Sequence, residues 1–215
     1  MFVRDRMSSP VVTVRDSESF QDALKLMRER QFRRLPVVDR HGALVGIVSE
    51  RDLLYASPSQ ATSLSIWEVH YLLSKLQVQK VMTATVVTTT PDTPIEDAAQ
   101  LMVAHKIGGL PVVDEHDGLV GVITETDIFR TFVEMFAGGQ QGVRLTLEVP
   151  EEKGVLLELC RMILDVGGNI MSVGSFAGSD ASKRGLVVKV REVEGGNLVR
   201  AFDELGEHLL DAREG

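Results

Sequence analysis

Leu35-Pro36-Val37-Val38-Asp39 recurs as Leu110-Pro111-Val112-Val113-Asp114, 75 residues further along the chain. The similarity extends without a gap from residues 7–54 to residues 82–129, and 19 of the 48 positions are identical. One copy of about fifty residues buries too little apolar surface to fold alone. We therefore expect the two repeats to close one core between them and to leave two clefts related by a pseudo-two-fold axis. A doubled cleft with polar residues at its lip favours ligand binding over catalysis.

Each repeat has the same pattern of structure. A short strand (Val11–Val14 or Val86–Thr89) precedes an amphipathic helix, a β-hairpin and a second helix that starts near Ser49 or Thr124. Between the repeats, Ser65-Ile66-Trp67-Glu68 has the form of a capping box and is followed by apolar residues at helical spacing. This pattern predicts an inserted helix.

The pattern changes after the second repeat. Gly138-Gly139-Gln140-Gln141-Gly142 is typical of a linker. The residues beyond it predict the order β-α-β-β-α-β, which indicates an antiparallel sheet with both helices on one face. Because two helices cover only one side of the sheet, we expect this domain to dimerise. The fold class is therefore α+β, and the predicted segments are 1–56 (first repeat), 57–79 (insertion), 80–137 (second repeat), 138–142 (linker) and 143–215 (C-terminal domain).

Composition argues against several classes of function. The net charge of −8 opposes nucleic-acid binding in general, although the cluster Arg28–Arg34 leaves an oligonucleotide-binding alternative open. No apolar run is long enough to span a membrane, and the first six residues lack the apolar core of a signal peptide. A single cysteine, Cys160, allows no internal disulfide, so we expect a cytoplasmic protein. No metal-ligand spacing of histidines and no Gly-x-Ser-x-Gly motif is present, so we expect no metal site and no catalytic residues.

Polar and charged side chains recur at the junction between the hairpin and the second helix of each repeat. Gly46-Ile47-Val48-Ser49-Glu50-Arg51-Asp52 in the first repeat matches Gly121-Val122-Ile123-Thr124-Glu125-Thr126-Asp127 in the second. A helix N-terminus binds phosphate, and a carboxylate accepts hydrogen bonds from sugar hydroxyls. The alternative is a capping box, with the hydroxyl as the N-cap and the carboxylate three residues later. Recurrence does not separate the two interpretations, because caps duplicate as well.

These phrases resemble those of a tandem pair of CBS domains (cystathionine-β-synthase motifs), and the resemblance spans residues 1–136. It implies a regulatory adenosine ligand, such as AMP, ADP, ATP or S-adenosylmethionine, and no required cofactor. By this resemblance Asp52 and Asp127 would hold ribose, while Ser49 and Thr124 would hold phosphate or ribose. The base would contact one apolar residue at each of four positions, Ile47, Val122, Val12 and Val87.

The two repeats differ just before Leu-Pro, where the first has Arg33-Arg34 and the second has Gly108-Gly109. In the family this segment often supplies cationic phosphate ligands. We expect the stronger phosphate site to combine one of the arginines with Asp127, Thr124 and Thr126. The cleft of Asp52, next to the further candidate Arg51, would then face the glycines and prefer less charge. The alternative is that the arginines form a solvated helix end.

The C-terminal domain resembles an ACT domain, a βαββαβ module that often binds amino acids at a dimer interface. The resemblance rests on residues 151–156 and 167–170, although Glu151 and Lys153 replace the usual aspartate and proline. It makes Glu151, Gly154 and Asn169 candidate ligand-binding residues; the alternative is that Gly154 and Asn169 only form turns. A CBS pair with a helical insertion and an ACT domain is similar to acetoin-utilisation proteins of the AcuB type.

Together these features predict a cytoplasmic, homodimeric, non-catalytic sensor of an adenine nucleotide, whose state is transmitted to an unidentified protein target. The alternative from another class is a scaffold protein with vestigial clefts.

Overall fold

A computed structural model describes residues 1–55, 75–204 and 208–214. The chain divides into two compact units, Met1–Ile128 and Phe129–Gly215. The predicted inserted helix falls almost entirely outside the described residues, and the domain boundaries stay predictions. Within the described ranges, no helix combines the length and apolar character needed to cross a membrane.

The two repeats of the first unit fold alike. Each has an antiparallel hairpin whose first strand pairs with the second in the same register, Arg34 opposite Ser49 and Gly109 opposite Thr124. The first repeat contains β1 (Val14–Arg15), α1 (Phe20–Arg30), β2 (Arg34–Val38), β3 (Leu44–Ser49) and α2 (Glu50–Tyr55). The second contains α3 (Ile95–His105), β4 (Gly109–Val113), β5 (Leu119–Thr124) and α4 (Glu125–Met135).

The repeats form two core clusters, which corrects the expectation of one shared core. Each cluster is completed by a short 3₁₀ turn that precedes the other repeat. Val3 is fully buried against Leu110 and its neighbours in the second repeat, and Val78 is fully buried against Leu35 and its neighbours in the first. The segment before each repeat therefore buries an apolar residue in the core of the other repeat. This burial stabilises the association of the two repeats.

The predicted first strands are shorter than expected. β1 pairs in parallel with β2 over two residues, and in the second repeat only the bridge between Thr89 and Val112 remains. Further upstream the same segments cross to the other repeat, where Ser8 bridges Val122 and Thr83 bridges Ile47. Each segment therefore divides its backbone hydrogen bonds between two hairpins. The middle of the second segment, residues 85–87, lines a cavity.

The second unit has the βαββαβ order that the sequence predicts. The elements are β6 (Val143–Pro150), α5 (Val155–Asp165), β7 (Asn169–Ala177), β8 (Lys183–Arg191), α6 (Gly195–Glu204) and β9 (His208–Glu214). The antiparallel sheet has the strand order β7-β8-β6-β9, and both helices contribute to one core on one face. That core is formed mainly by Leu145, Leu147, Leu159, Ile163, Leu198 and Phe202.

The segment that precedes β6, including Phe136 and Ala137, packs on the opposite face of this sheet. The ring of Phe136 lies against Gly174, where it would clash with any Cβ. Lys189, only 7% exposed, donates a hydrogen bond of 3.2 Å from Nζ to the carbonyl oxygen of Ala137. Ala137, the residue immediately before the predicted linker (residues 138–142), is therefore hydrogen-bonded to the sheet by a buried lysine.

Candidate functional site

A cavity of about 950 Å³ opens in the first unit, where β3 runs into α2. This volume lies within the range of small-molecule sites. Both repeats contribute to it. Its apolar wall is formed by Ile47, Val86, Val87 and Ile107, and its polar and charged wall by Arg33, Arg34, Ser49, Glu50, Arg51, Asp52, Thr83, Thr85, Lys106 and Glu125.

The helix that begins at this cavity is held by a reciprocal capping box. Asp52 Oδ2 accepts hydrogen bonds from Ser49 N (2.9 Å) and Ser49 Oγ (2.6 Å), while Asp52 N donates to Ser49 Oγ (3.2 Å). In the second repeat, Asp127 Oδ2 accepts the same two bonds from Thr124, at 2.9 and 2.6 Å. The capping interpretation of this motif is therefore realised in both repeats.

Asp52 can accept further hydrogen bonds in addition to those of the cap. Both cap bonds end on Oδ2, and an ionised carboxylate has about four acceptor positions on its two oxygens. Asp52 is half-buried and lines the cavity. Its carboxylate is therefore oriented by the cap and still able to accept hydrogen bonds from a ligand hydroxyl.

Arg34 owes its position to the glycine pair of the other repeat. A Cβ on Gly108 would come within 2.7 Å of Arg34 Nη2, and a Cβ on Gly109 within 2.7 Å of Arg34 Nη1. No side chain other than hydrogen fits there without displacing the guanidinium. The neighbouring Arg33 also reaches the second repeat, donating a long hydrogen bond of 3.4 Å from Nη2 to Thr126 Oγ1.

The charges around the cavity favour an anionic ligand. Four basic and three acidic side chains line it, in a protein whose net charge is −8. Burial lowers the pKa of Arg34, the adjacent Glu125 carboxylate opposes that effect, and Arg33 adds to it. A half-buried arginine that burial has partly stripped of water gains more from an incoming anion than a fully hydrated one does.

Seven of the twelve candidate residues for the nucleotide line the cavity: Arg33, Arg34, Ile47, Ser49, Arg51, Asp52 and Val87. The other five, Val12, Val122, Thr124, Thr126 and Asp127, do not line it. We expected one of the arginines to lie with Asp127, Thr124 and Thr126; Arg33 does hydrogen-bond to Thr126, but both arginines also line the cavity of Asp52. The difference arises because Gly108 and Gly109 leave a slot that Arg34 fills.

Five polar or charged lining residues were not among the candidates: Glu50, Thr83, Thr85, Lys106 and Glu125. Lys106 immediately precedes Ile107 and the glycine pair, so its position relative to the Leu-Pro strand was the available signal. Thr83 and Thr85 stand where the first repeat has Ser8 and Pro10, and the crossing of this segment to the other repeat depends on tertiary structure. Glu125 could have been recognised as the repeat counterpart of Glu50.

The three candidate residues of the second unit lie between β6 and α5 or at the start of β7. Exposed Glu151 forms an ion pair with Arg184, which raises the pKa of that arginine. Gly154 is the N-cap of α5 and has a φ of +97°, and exposed Asn169 is the first residue of β7. Among the described residues of the chain, no three His, Cys, Asp or Glu side chains are grouped to hold a metal ion.

The comparison with known proteins now decides the family. The model of the CBS domain matches residues 3–59 and 78–134, more than half of the chain. The chain belongs to the CBS-domain family. The matched ranges contain the two hairpins and both capping boxes.

Three solved structures are similar to the CBS pair. The CBS domain pair of protein MJ0100, in complex with 5′-methylthioadenosine and S-adenosyl-L-methionine, is 32% identical with a TM-score of 0.52, covering 61% of this chain and 95% of that one. CBSX2 in complex with AMP is 34% identical with a TM-score of 0.50, covering 61% and 96%. A Vibrio cholerae structure assigned as an acetoin utilization protein (AcuB) is 34% identical with a TM-score of 0.52, covering 62% and 90%.

Enzymes are also among the relatives, but they are matched only in part. A homoserine O-acetyltransferase of Methanococcoides burtonii is 41% identical over 128 residues, which are 60% of this chain and 23% of the enzyme. The chain therefore spans about a quarter of the length of such enzymes. The similarity concerns the CBS pair.

Proposed function

We propose that the CBS pair binds an adenine nucleotide, or a related adenosyl ligand, in the cavity of Asp52 and acts as a non-catalytic regulatory sensor. The observation that supports this most directly is the combination of a cap-oriented carboxylate and converging cations in one cavity of suitable volume. Two similar structures hold AMP or adenosyl ligands.

Each part of such a ligand finds matching chemistry in the cavity. The ribose hydroxyls donate to Asp52, beside Ser49. The phosphate pairs with Arg33, Arg34 and Lys106, because hydrogen bonds between ionised partners are about twice as strong as neutral ones. The base packs on the apolar wall, which includes Ile47 and Val87, and Arg51 adds positive charge at the lining.

The pseudo-symmetric cleft is the second candidate for the same ligand. It would use Asp127 for ribose, with Thr124, Thr126, Val122 and Val12 around it. Because Arg33 and Arg34 line the cavity of Asp52, we assign the lower affinity for phosphate-bearing ligands to the Asp127 cleft.

We further propose that the second unit is an ACT-type domain and that the protein is a homodimer. β7 is an edge strand of the sheet, and α5 exposes Leu157 (55%) and Leu164 (70%) to solvent. A second copy that covers these leucines and extends the sheet would remove both exposed features. Leu164→Glu should therefore shift the molar mass in light scattering from dimer to monomer, and a monomeric wild type would refute the proposal.

The finer assignments rest on resemblance. Glu151, Gly154 and Asn169 remain candidates for binding an amino acid, although Arg184 already occupies the Glu151 carboxylate. The similarity to AcuB supports an association with acetoin utilisation. We propose a cytoplasmic location and a protein target that reads the ligand state, which requires the ligand to favour one conformation over another. No nucleic-acid partner is proposed.

Calorimetric titration of AMP, ADP, ATP and S-adenosylmethionine tests the proposed function. Lys106→Met removes one cation of the cavity and should weaken AMP binding about tenfold, since a hydrogen bond between charged groups contributes about 1.5 kcal/mol or more. Lys153→Met makes the same change of charge in the second unit and should leave AMP binding unchanged. Absence of heat with every ligand, together with an unchanged melting temperature, would instead support the scaffold alternative, in which the capping boxes are the motif's only role.

A further inference from the structure

Glu125, an exposed residue, places a negative charge at the lining of the cavity that would receive the phosphate. It is the first residue of α4 and lines the cavity. Its carboxylate and Arg34 Nη2 both lie against Gly108, where a Cβ would clash with the former and come within 2.7 Å of the latter. The glycine at 108 thus creates room for an acid and a base side by side.

This pairing affects ligands according to their charge. The carboxylate already satisfies part of the attraction of Arg34, so an incoming phosphate must compete with it. The same carboxylate repels each further negative charge of the ligand. Glu50 and Asp52 also line the cavity, opposed by Arg33, Arg51 and Lys106. The Glu125 carboxylate differs from them because it lies next to the Arg34 guanidinium at Gly108.

We propose that Glu125 is a specificity-determining residue that limits the negative charge the cavity accepts, so that adenosine monophosphates bind in preference to di- and triphosphates. This inference rests on the proposed function of the same cavity. Two like charges about 4 Å apart in a water-like dielectric weaken binding about fivefold, and more where water is excluded. A triphosphate brings more charge into this region than a monophosphate does.

Titration of AMP and ATP into the wild type and Glu125→Gln tests this inference. The ratio of the ATP to the AMP dissociation constant should fall at least about fivefold in Glu125→Gln. Glu115→Gln is the matched control, because it removes the same charge from an exposed turn outside the cavity, and its ratio should stay within about twofold of the wild type. An unchanged ratio in Glu125→Gln, or an equal change in both variants, would overturn the inference.

Failure of the proposed function gives a result that differs from failure of the inference on Glu125. If no nucleotide binds the wild type, the function is wrong, and inorganic pyrophosphate then decides the role of Glu125, because its binding requires only the cations. Tighter pyrophosphate binding by Glu125→Gln than by the wild type would support the inference, and equal or absent binding would overturn it. Circular dichroism melting checks folding, and Glu125→Ser, compatible with a first helical turn, replaces the glutamine variant if that one does not fold.

Discussion

Replacing Asp52 by alanine separates its capping role from its proposed ligand-binding role. The substitution removes two hydrogen bonds to Ser49, of 2.9 and 2.6 Å. Asp127→Ala removes the same two bonds to Thr124, at the same two lengths. Because both caps are half-buried and alike, each substitution should lower the free energy of unfolding by about 1–2 kcal/mol. Urea unfolding of both variants measures this loss.

Ligand affinity should distinguish the two variants. Only Asp52 lines the cavity, and a hydrogen bond from ribose to a carboxylate contributes about 1.5–3 kcal/mol. Asp52→Ala should therefore weaken AMP binding about 10- to 100-fold, whereas Asp127→Ala should change the affinity of that site by no more than about twofold. Calorimetric titration at a temperature where both variants are folded provides the comparison.

Two outcomes would refute a ligand-binding role for Asp52 in the main site. An equal or larger loss of affinity in Asp127→Ala would show that the pseudo-symmetric cleft is the main site. A loss of stability in Asp52→Ala without any loss of affinity would show that capping is the only role of this carboxylate.

Three other expected outcomes concern the second unit. Gly154 has a φ of +97° with open space around its Cβ position, so Gly154→Ala should destabilise by about 1–2 kcal/mol through backbone conformation alone. Gly196 in α6 also has open space but no positive φ, so Gly196→Ala should stabilise by about 0.5 kcal/mol; chemical denaturation measures both, and a change of the same sign in the two would contradict the argument. Hydrogen bonds from Lys183 and then Ser179 lower the pKa of Glu148 from 4.5 to about 2. Its contribution to stability is therefore complete above pH 4.5 and lost as the pH falls toward 2, and the acid limb of the unfolding midpoint should flatten in Glu148→Gln.

Local patterns were sufficient to predict most of the elements. Alternation along residues 143–149 predicted a strand with one buried face, and the structure has a strand at Val143–Pro150 that buries Val143, Leu145, Leu147 and Val149. The apolar spacing of Ile95, Ala98, Ala99 and Met102 predicted the inward face of α3, and the structure buries all of these residues except Ala99, which is half-buried. These predictions succeed because side-chain periodicity within one element depends only on neighbouring residues.

Contacts between the repeats could not be predicted in the same way. The sequence showed that Arg33 and Arg34 align with Gly108 and Gly109, but it did not show that these two pairs meet. Nor did it show that the turns at Val3 and Val78 exchange between the cores. Arg34 and Gly108 are 74 positions apart, Val3 and Leu110 are 107 apart, and Val78 and Leu35 are 43 apart, and no local periodicity encodes such pairs.

The sequence by itself determined the duplication, the order of helices and strands outside the insertion, and membership of the CBS family. That Ser49 and Asp52 form a cap was one of two interpretations until the hydrogen bonds showed it. Only the tertiary structure decided which cleft contains the arginines. The physical reason is steric. Glycine at 108 and 109 leaves space next to the backbone of the second repeat, and the guanidinium of Arg34 fills it. That packing puts the positive charge in the wall of the cavity of Asp52, with Glu125 beside it.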